Sequence, residues 1–351
     1  GNIERDIFLA AAFAQCADGN VADTDGDGLL DCWETQGVDF DGDGTVDLVL
    51  YDVDGDGVVS PAERADPNRR DIYLEIDFMQ LHRPMNLAVN DVIDAFAVAP
   101  LTNPDGTDGV RLHVQVDEEA IATHNDNLAF VPATAPAPAG VPDFDAVKGA
   151  SFGTGIERAD PAAANILAAK RLAVRYGLFA HALLGLRRTS GMAELPGNDF
   201  VVSLGGWTAT AMPTHTAGTR DQQAGTLLHE LGHNLNLGHG GVDHVNCKPN
   251  YLSVMSYTRQ FDTTVPGRPL DYSRGTALPI SLDETDQLQE PAGIGGPAVQ
   301  RTVYGPPAAT PPRVAAPAVA VNLATAMQAP RWVVLTPANQ PIDWNRNGVF
   351  T

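Results

Sequence analysis

The chain has 351 residues, 44% of them hydrophobic, enough to bury a substantial core in one large domain or two. Its 44 Asp and Glu against 22 Lys and Arg leave a formal net charge of −22, which argues against nucleic acid or an anionic membrane surface as the main partner. No apolar run approaches the roughly 18 residues of a membrane helix, so no membrane span is expected.

Residues 3–15 predict a short helix. Its apolar part, Ile7 to Ala14, lacks a basic segment before it and is not a complete signal peptide, so the chain reads as a mature or trimmed form and secretion must rest on other features. Between Asp18 and Asp56 there are twelve aspartates and no Lys or Arg, a clustering that asks for a bound cation. Asp23, Asp25, Asp27, Gly28, Leu29, Asp31 and Glu34 occupy positions 1, 3, 5, 6, 7, 9 and 12 of a twelve-residue calcium loop. Alternate carboxylates converge there on one hard cation, glycine permits the sharp turn, and the last Glu can bind through both oxygens. Asp52, Asp54, Asp56, Gly57, Val58, Ser60 and Glu63 repeat the pattern. A middle copy has Asp39, Asp41, Asp43, Gly44, Thr45 and Asp47, with Leu50 where Glu is expected. Two or more structural calcium ions follow as an expectation. A solvated acidic linker is the alternative, but it does not account for glycine at position 6 three times. Cys16 and Cys32 flank the first loop and can bridge it, or stay reduced as small buried hydrophobes. Cys247 is expected to be a free thiol in a packing role.

Asp71 to Met79 alternates apolar and polar and predicts a strand. Leu87 to Val98 predicts a helix and Val110 to Val116 a second strand, which together suggest a βαβ unit and a parallel sheet. Pro132 to Pro142 is a Pro/Ala loop. Asp160-Pro161 is expected to open a helix running to about Val174, with Pro at its first position. Tyr176 to Leu184 and Phe200 to Leu204 predict further strands. The domains expected are a calcium-loop segment over 1–66 packed on a catalytic domain, the catalytic domain over 67–290 with a division near 239, and an irregular Pro/Ala-rich extension over 291–351. Asp343, Asn345 and Asn347 imitate the start of a calcium loop, but a polar turn is the better reading.

The chemistry concentrates between Thr226 and His239, read T-L-L-H-E-L-G-H-N-L-N-L-G-H, on a helix expected to start near Gln223. At ~100° per residue, His229 and His233 lie about 40° apart on one face. Ala224, Leu227, Leu228, Leu231 and Leu235 fall on the other. Two imidazoles one turn apart, Glu230 beside the first, and His239 six residues after the second predict one catalytic zinc with a coordination position left open. Zinc so held lowers the pKa of a bound water and polarises a scissile carbonyl, with Glu230 as general base. The chain must turn sharply to bring His239 back, and Asn236 stands at the turn. Asparagine is the residue that, after glycine, best tolerates a left-handed conformation. His82, His113, His124, His181, His215 and His244 are expected in structural or surface roles, His244 being the one rival ligand.

Downstream, Ser253 to Tyr257 reads S-V-M-S-Y. With the long histidine motif before it, this resembles the Met-turn of the metzincin clan of zinc endopeptidases, and Tyr257 makes it most similar to astacin- and serralysin-like members. The resemblance covers about residues 20–290. It departs from the clan's usual pattern at Asn236, where glycine is the rule. The acidic loops resemble the calcium repeats of thrombospondin type 3 and dockerin modules, and the wider context looks like secreted bacterial metzincins. The resemblance implies an α/β (α+β) fold with a twisted, mixed five-stranded sheet and a long active-site helix. It implies that Met255 forms a hydrophobic floor under the zinc, and that Tyr257 ligates zinc at rest or stabilises the reacting carbonyl. It also implies an edge strand that pairs with extended substrate; Asp199 to Leu204 is expected near that cleft.

The function expected is therefore a secreted, extracellular, calcium-stabilised zinc endopeptidase, monomeric and acting on proteins or peptides. The alternatives are a gluzincin-type peptidase with a downstream Glu such as Glu284 as third ligand, and a calcium-dependent adhesion or scaffold module with a vestigial site.

Overall fold

A computed structural model describes residues 16, 19–50, 60, 63–130, 137–207, 218–274, 290–294, 300–304, 334–342 and 349. The expected helix over 3–15, the complete calcium motif from Asp52 to Val58, Glu284, and the polar turn at Asp343 to Asn347 lie outside the described residues.

The strands are β1 (Asp71–Phe78), β2 (Arg111–Val116), β3 (Val174–Ala180), β4 (Gly191–Ala193) and β5 (Asp199–Ser203). They form one mixed sheet in the order β2-β1-β3-β5-β4, parallel except for β4. The helices are α1 (Asp31–Gln36), α2 (Asn86–Ala97), α3 (Phe144–Ser151), α4 (Gly155–Ala159), α5 (Ala163–Ala173) and α6 (Arg220–Asn234). β1, α2 and β2 make the expected βαβ unit, with β1 and β2 neighbours in register from Asp71 with Arg111 to Ile76 with Val116.

All eight residues of β1 are buried, so its polar positions do not face water. Ile72, Leu74, Ile76 and Phe78 pack with α2 and α6 in one core. Tyr73 joins the other core, on the far face of the sheet, with Tyr176, Ala169 and Phe152. The polar residues between are partnered. The Glu75 carboxylate pairs with the fully buried Lys170 ammonium at 2.6 Å, and Asp77 accepts from the Tyr176 hydroxyl at 2.8 Å. A buried carboxylate is tolerable only when so satisfied.

The acidic segment belongs to the same far-face core, since Leu29, Trp33, Val38, Leu48 and Leu50 pack within it. Leu50 is 1% exposed, so the middle loop ends by anchoring a side chain in the core where a closing Glu is expected. Cys16 and Cys32 form a disulfide around the first loop, and Cys247 is free.

Several elements differ from the sequence expectation. The fifth helix begins at Ala163, because Asp160 caps the end of α4 with an extended backbone and Pro161 lies in the turn between them. Strand β3 starts at Val174 and stops at Ala180, short of Leu184, and His181 begins the turn that follows. The C-terminal region, expected to be irregular, contributes a two-stranded antiparallel sheet of β6 (Arg301–Tyr304) and β7 (Val334–Pro337). Thr302 donates to the Pro249 carbonyl, and Ile294, Ala338 and Ile342 pack on Leu252, which ties this region to the segment after the histidine motif. No described helix is long and apolar enough to cross a membrane.

Candidate active site

The histidine helix α6 starts at Arg220, earlier than Gln223, because Thr219 and Gln222 form a capping box. The Gln222 amide donates to Thr219 Oγ1 at 3.2 Å, and the Thr219 amide to Gln222 Oε1 at 2.9 Å. Every residue from Gln223 to Asn234 is buried. Ala224, Leu227, Leu228 and Leu231 fill the core between helix and sheet.

The other face carries His229, Glu230 and His233. The His229 and His233 rings lie 4.7 Å apart between centroids, and His239 closes the triangle at 5.3 and 4.8 Å. One ring nitrogen from each falls within 4.8 Å of the other two. The tautomers are set from behind. His229 Nδ1 donates to the Val254 carbonyl at 3.0 Å and His233 Nδ1 to the Leu237 carbonyl at 2.8 Å, leaving their Nε2 lone pairs for the centre. Burial lowers all three imidazole pKa values, that of His239 to about 4, so they present lone pairs at neutral pH. Three neutral imidazoles around one point fit a zinc ion. His244, the rival ligand, is exposed.

The turn after α6 follows from Asn236. Its φ is +68°, in the left-handed region. The Asn236 amide donates to the His233 carbonyl at 2.8 Å and the Leu237 amide to the Gly232 carbonyl at 2.9 Å. These two bonds are a Schellman motif, and they lead the chain back so that His239 faces His233. Asn236→Ala is expected to cost about 1 kcal/mol in urea unfolding, with Asn236→Gly close to neutral. Equal losses in both variants would show that the left-handed backbone is not what the asparagine supplies.

Met255 is fully buried beneath the helix, and this depends on Gly232, since a Cβ there would lie 2.4 Å from the Met255 Sδ. Tyr257 stands over His239 with ring centroids 4.4 Å apart. Burial, with the nearby Glu230 carboxylate, raises its hydroxyl to about 12. Glu230 is 3% exposed, and burial alone pushes its carboxyl well above the usual range.

A cleft opens over these groups, walled by Leu186, Ser190, Met192, Trp207 and Gln260. β5 is an interior strand, so the cleft wall near it is built instead by β4, which sequence reasoning missed because its three residues carry no periodic signal. Among the described residues, β4 pairs only with β5 and forms the sheet's edge. Gly191 permits the approach of β4 to the helix, since a Cβ would lie 2.5 Å from Glu230 Oε1 and 2.6 Å from the Val201 carbonyl oxygen.

The two described acidic loops share one template. In the first, the Gly26 and Gly28 amides donate to Asp23, Asp27 to Asp25, and Leu29 to Asp27. In the second, Gly42 and Gly44 donate to Asp39, Asp43 to Asp41, and Thr45 to Asp43. Asp23, Asp25 and Asp27 gather their oxygens, as do Asp39, Asp41 and Asp43. Asp31 and Asp47 each accept a backbone amide across their loop, from Thr24 at 2.8 Å and Phe40 at 2.8 Å. Glu34 meets Asp27 and Asp71, the first residue of β1, a partner that no loop pattern contains. Asp25 Oδ2 and Glu34 Oε1 are buried without a hydrogen-bond partner. Burial raises Asp25 to about 6, Asp27 to about 7 and, with repulsion from Asp27 and Asp25, Glu34 to about 9. Unpartnered buried oxygens among other carboxylates fit a hard cation. Glu63, the last residue of the third motif, accepts from the Ser60 amide at 2.9 Å.

Comparison with known proteins returns no matching family model and no matching curated protein, so the reading of this site stands on its geometry.

Proposed function

We propose that the chain is a zinc endopeptidase of the metzincin type, secreted and stabilised by calcium. The observation that carries this reading is the meeting of three neutral imidazoles, two of them oriented by backbone carbonyls, with the buried Glu230 in a cleft whose wall is an edge strand. Bound by His229, His233 and His239, zinc would supply a water of lowered pKa and a Lewis acid for the scissile carbonyl. Glu230 is placed to act as the general base towards such a water and would return the proton to the leaving amine. Tyr257, held protonated at neutral pH, donates to the developing oxyanion. The free backbone edge of Gly191–Ala193 accepts an extended peptide as an added strand.

The metzincin assignment is supported by Met255 under the histidine helix against Gly232, and by a five-stranded sheet with one antiparallel edge strand. The acidic loops would hold structural calcium. The disulfide and loops suited to millimolar calcium favour work outside the cell. A peptide-library digest with metal analysis tests the proposal. Internal peptide-bond cleavage that stops on zinc removal and returns on its addition is the expected result. A zinc-loaded chain that cleaves no internal peptide bond would remove it.

A further inference from the structure

A second histidine triad lies away from α6. His82 follows the end of β1, His181 follows the end of β3, and His124 lies in the loop beyond β2. β2, β1 and β3 are adjacent and parallel, so their C-terminal ends bring together residues up to 99 positions apart. Ligands in open parallel sheets gather at such ends. His82 Nε2 and His124 Nε2 each lie 3.2 Å from His181 Nδ1. For a tetrahedral zinc with Zn–N bonds of about 2.0–2.1 Å, ligand nitrogens are about 3.3 Å apart. The ring centroids are 5.3, 5.3 and 4.9 Å apart, close to the spacing around His229.

Whether the three rings hydrogen-bond to one another or share a cation is decided by their tautomers. His82 Nδ1 faces the Gln80 carbonyl at 2.8 Å and must donate to it, so in the neutral ring Nε2 is a lone pair. His124 Nδ1 and His181 Nε2 both face Asp126 Oδ1, at 3.8 and 4.0 Å, which favours their protons on that side. With the His124 and His181 protons on the Asp126 side, the three nitrogens that meet all offer lone pairs, the arrangement a cation among them requires. The surroundings hold the rings to it. Gln80 Oε1 accepts the His124 amide at 3.1 Å. The Gly205 amide donates to the His181 carbonyl at 2.7 Å, and a Cβ on Gly205 would run into the His181 ring at 2.3 Å. This is the same design as at α6: a carbonyl behind a ring fixes which nitrogen points inward.

We propose that His82, His124 and His181 bind a second zinc ion, a structural one, that clamps the loops leaving three neighbouring strands. Its fourth position faces solvent beside His124, whose side chain is 33% exposed. The proposal uses none of the residues of the peptidase reading and stands without it.

Native mass spectrometry of the full chain is expected to show about two zinc ions per chain. His229→Ala/His233→Ala is expected to keep about one, and adding His124→Ala to that variant to remove it. His124 is partly exposed, which makes its replacement the mildest for folding; circular dichroism checks this. A folded His229→Ala/His233→Ala chain that binds no zinc overturns the proposal. If the peptidase reading failed but this one held, the single ion found would be sensitive to His124→Ala and indifferent to the α6 histidines.

Discussion

Glu230→Ala should reduce protein hydrolysis by roughly 10²- to 10⁴-fold while leaving the zinc content unchanged. The size follows from the role: a positioned group that moves the water's proton contributes about that much, whereas removing a metal ligand would empty the site. Glu230 sits on the face shared with the two helical histidines but is not one of the three converging donors. Its carboxyl is nearly excluded from solvent, and burial raises its proton affinity well above that of an ordinary glutamate, which suits a group that must accept a proton. Gly191 fixes its place, because no side chain fits between that strand and Oε1. Casein or gelatin digestion at full rate by the variant would take Glu230 out of the mechanism. Loss of zinc together with activity would assign it to metal holding.

Calcium removal is the second large expectation. An ion bound at about 100 times its dissociation constant contributes about 2.7 kcal/mol per site, so EGTA should lower Tm by on the order of 5 °C. The pH dependence gives the effect a signature. Without metal, Asp25, Asp27 and Glu34 titrate at about 6, 7 and 9, above their ordinary values of 3.8 and 4.5. Groups raised on folding favour the folded state in their protonated form. That contribution is complete below the ordinary values and is lost as pH climbs through the raised ones. The metal-free chain should therefore lose stability between about pH 5 and about pH 9, while the calcium-loaded chain should not. Equal Tm values in calcium and EGTA at about pH 8 would end the calcium reading.

What the sequence makes legible is what is local. His229, His233, His239 and the turn at Asn236 lie within eleven residues, so helix periodicity and one left-handed residue bring them together. The glycine-punctuated aspartates are local in the same sense, and both described loops fold on one hydrogen-bond template. What the sequence hides is set by the sheet. Asp71 reads as the start of a strand, and only the docking of α1 places it against Glu34. Val254 orients His229 through its carbonyl, an atom every residue has. β4 is three residues long and carries no pattern. His82, His124 and His181 read separately as ordinary histidines, because only parallel strand order makes their neighbours visible.

The burial of α6 from Gln223 to Asn234 bears on traffic into the site. Over that span the helix backs the histidine face with protein, so an ion approaching His229 and His233 would enter through the same opening as a peptide. Substrate and chelator would then compete for one doorway. On the peptidase reading, a peptide lying along Gly191–Ala193 would shield the metal while it stays, and the site would be most open to metal loss when no peptide is bound.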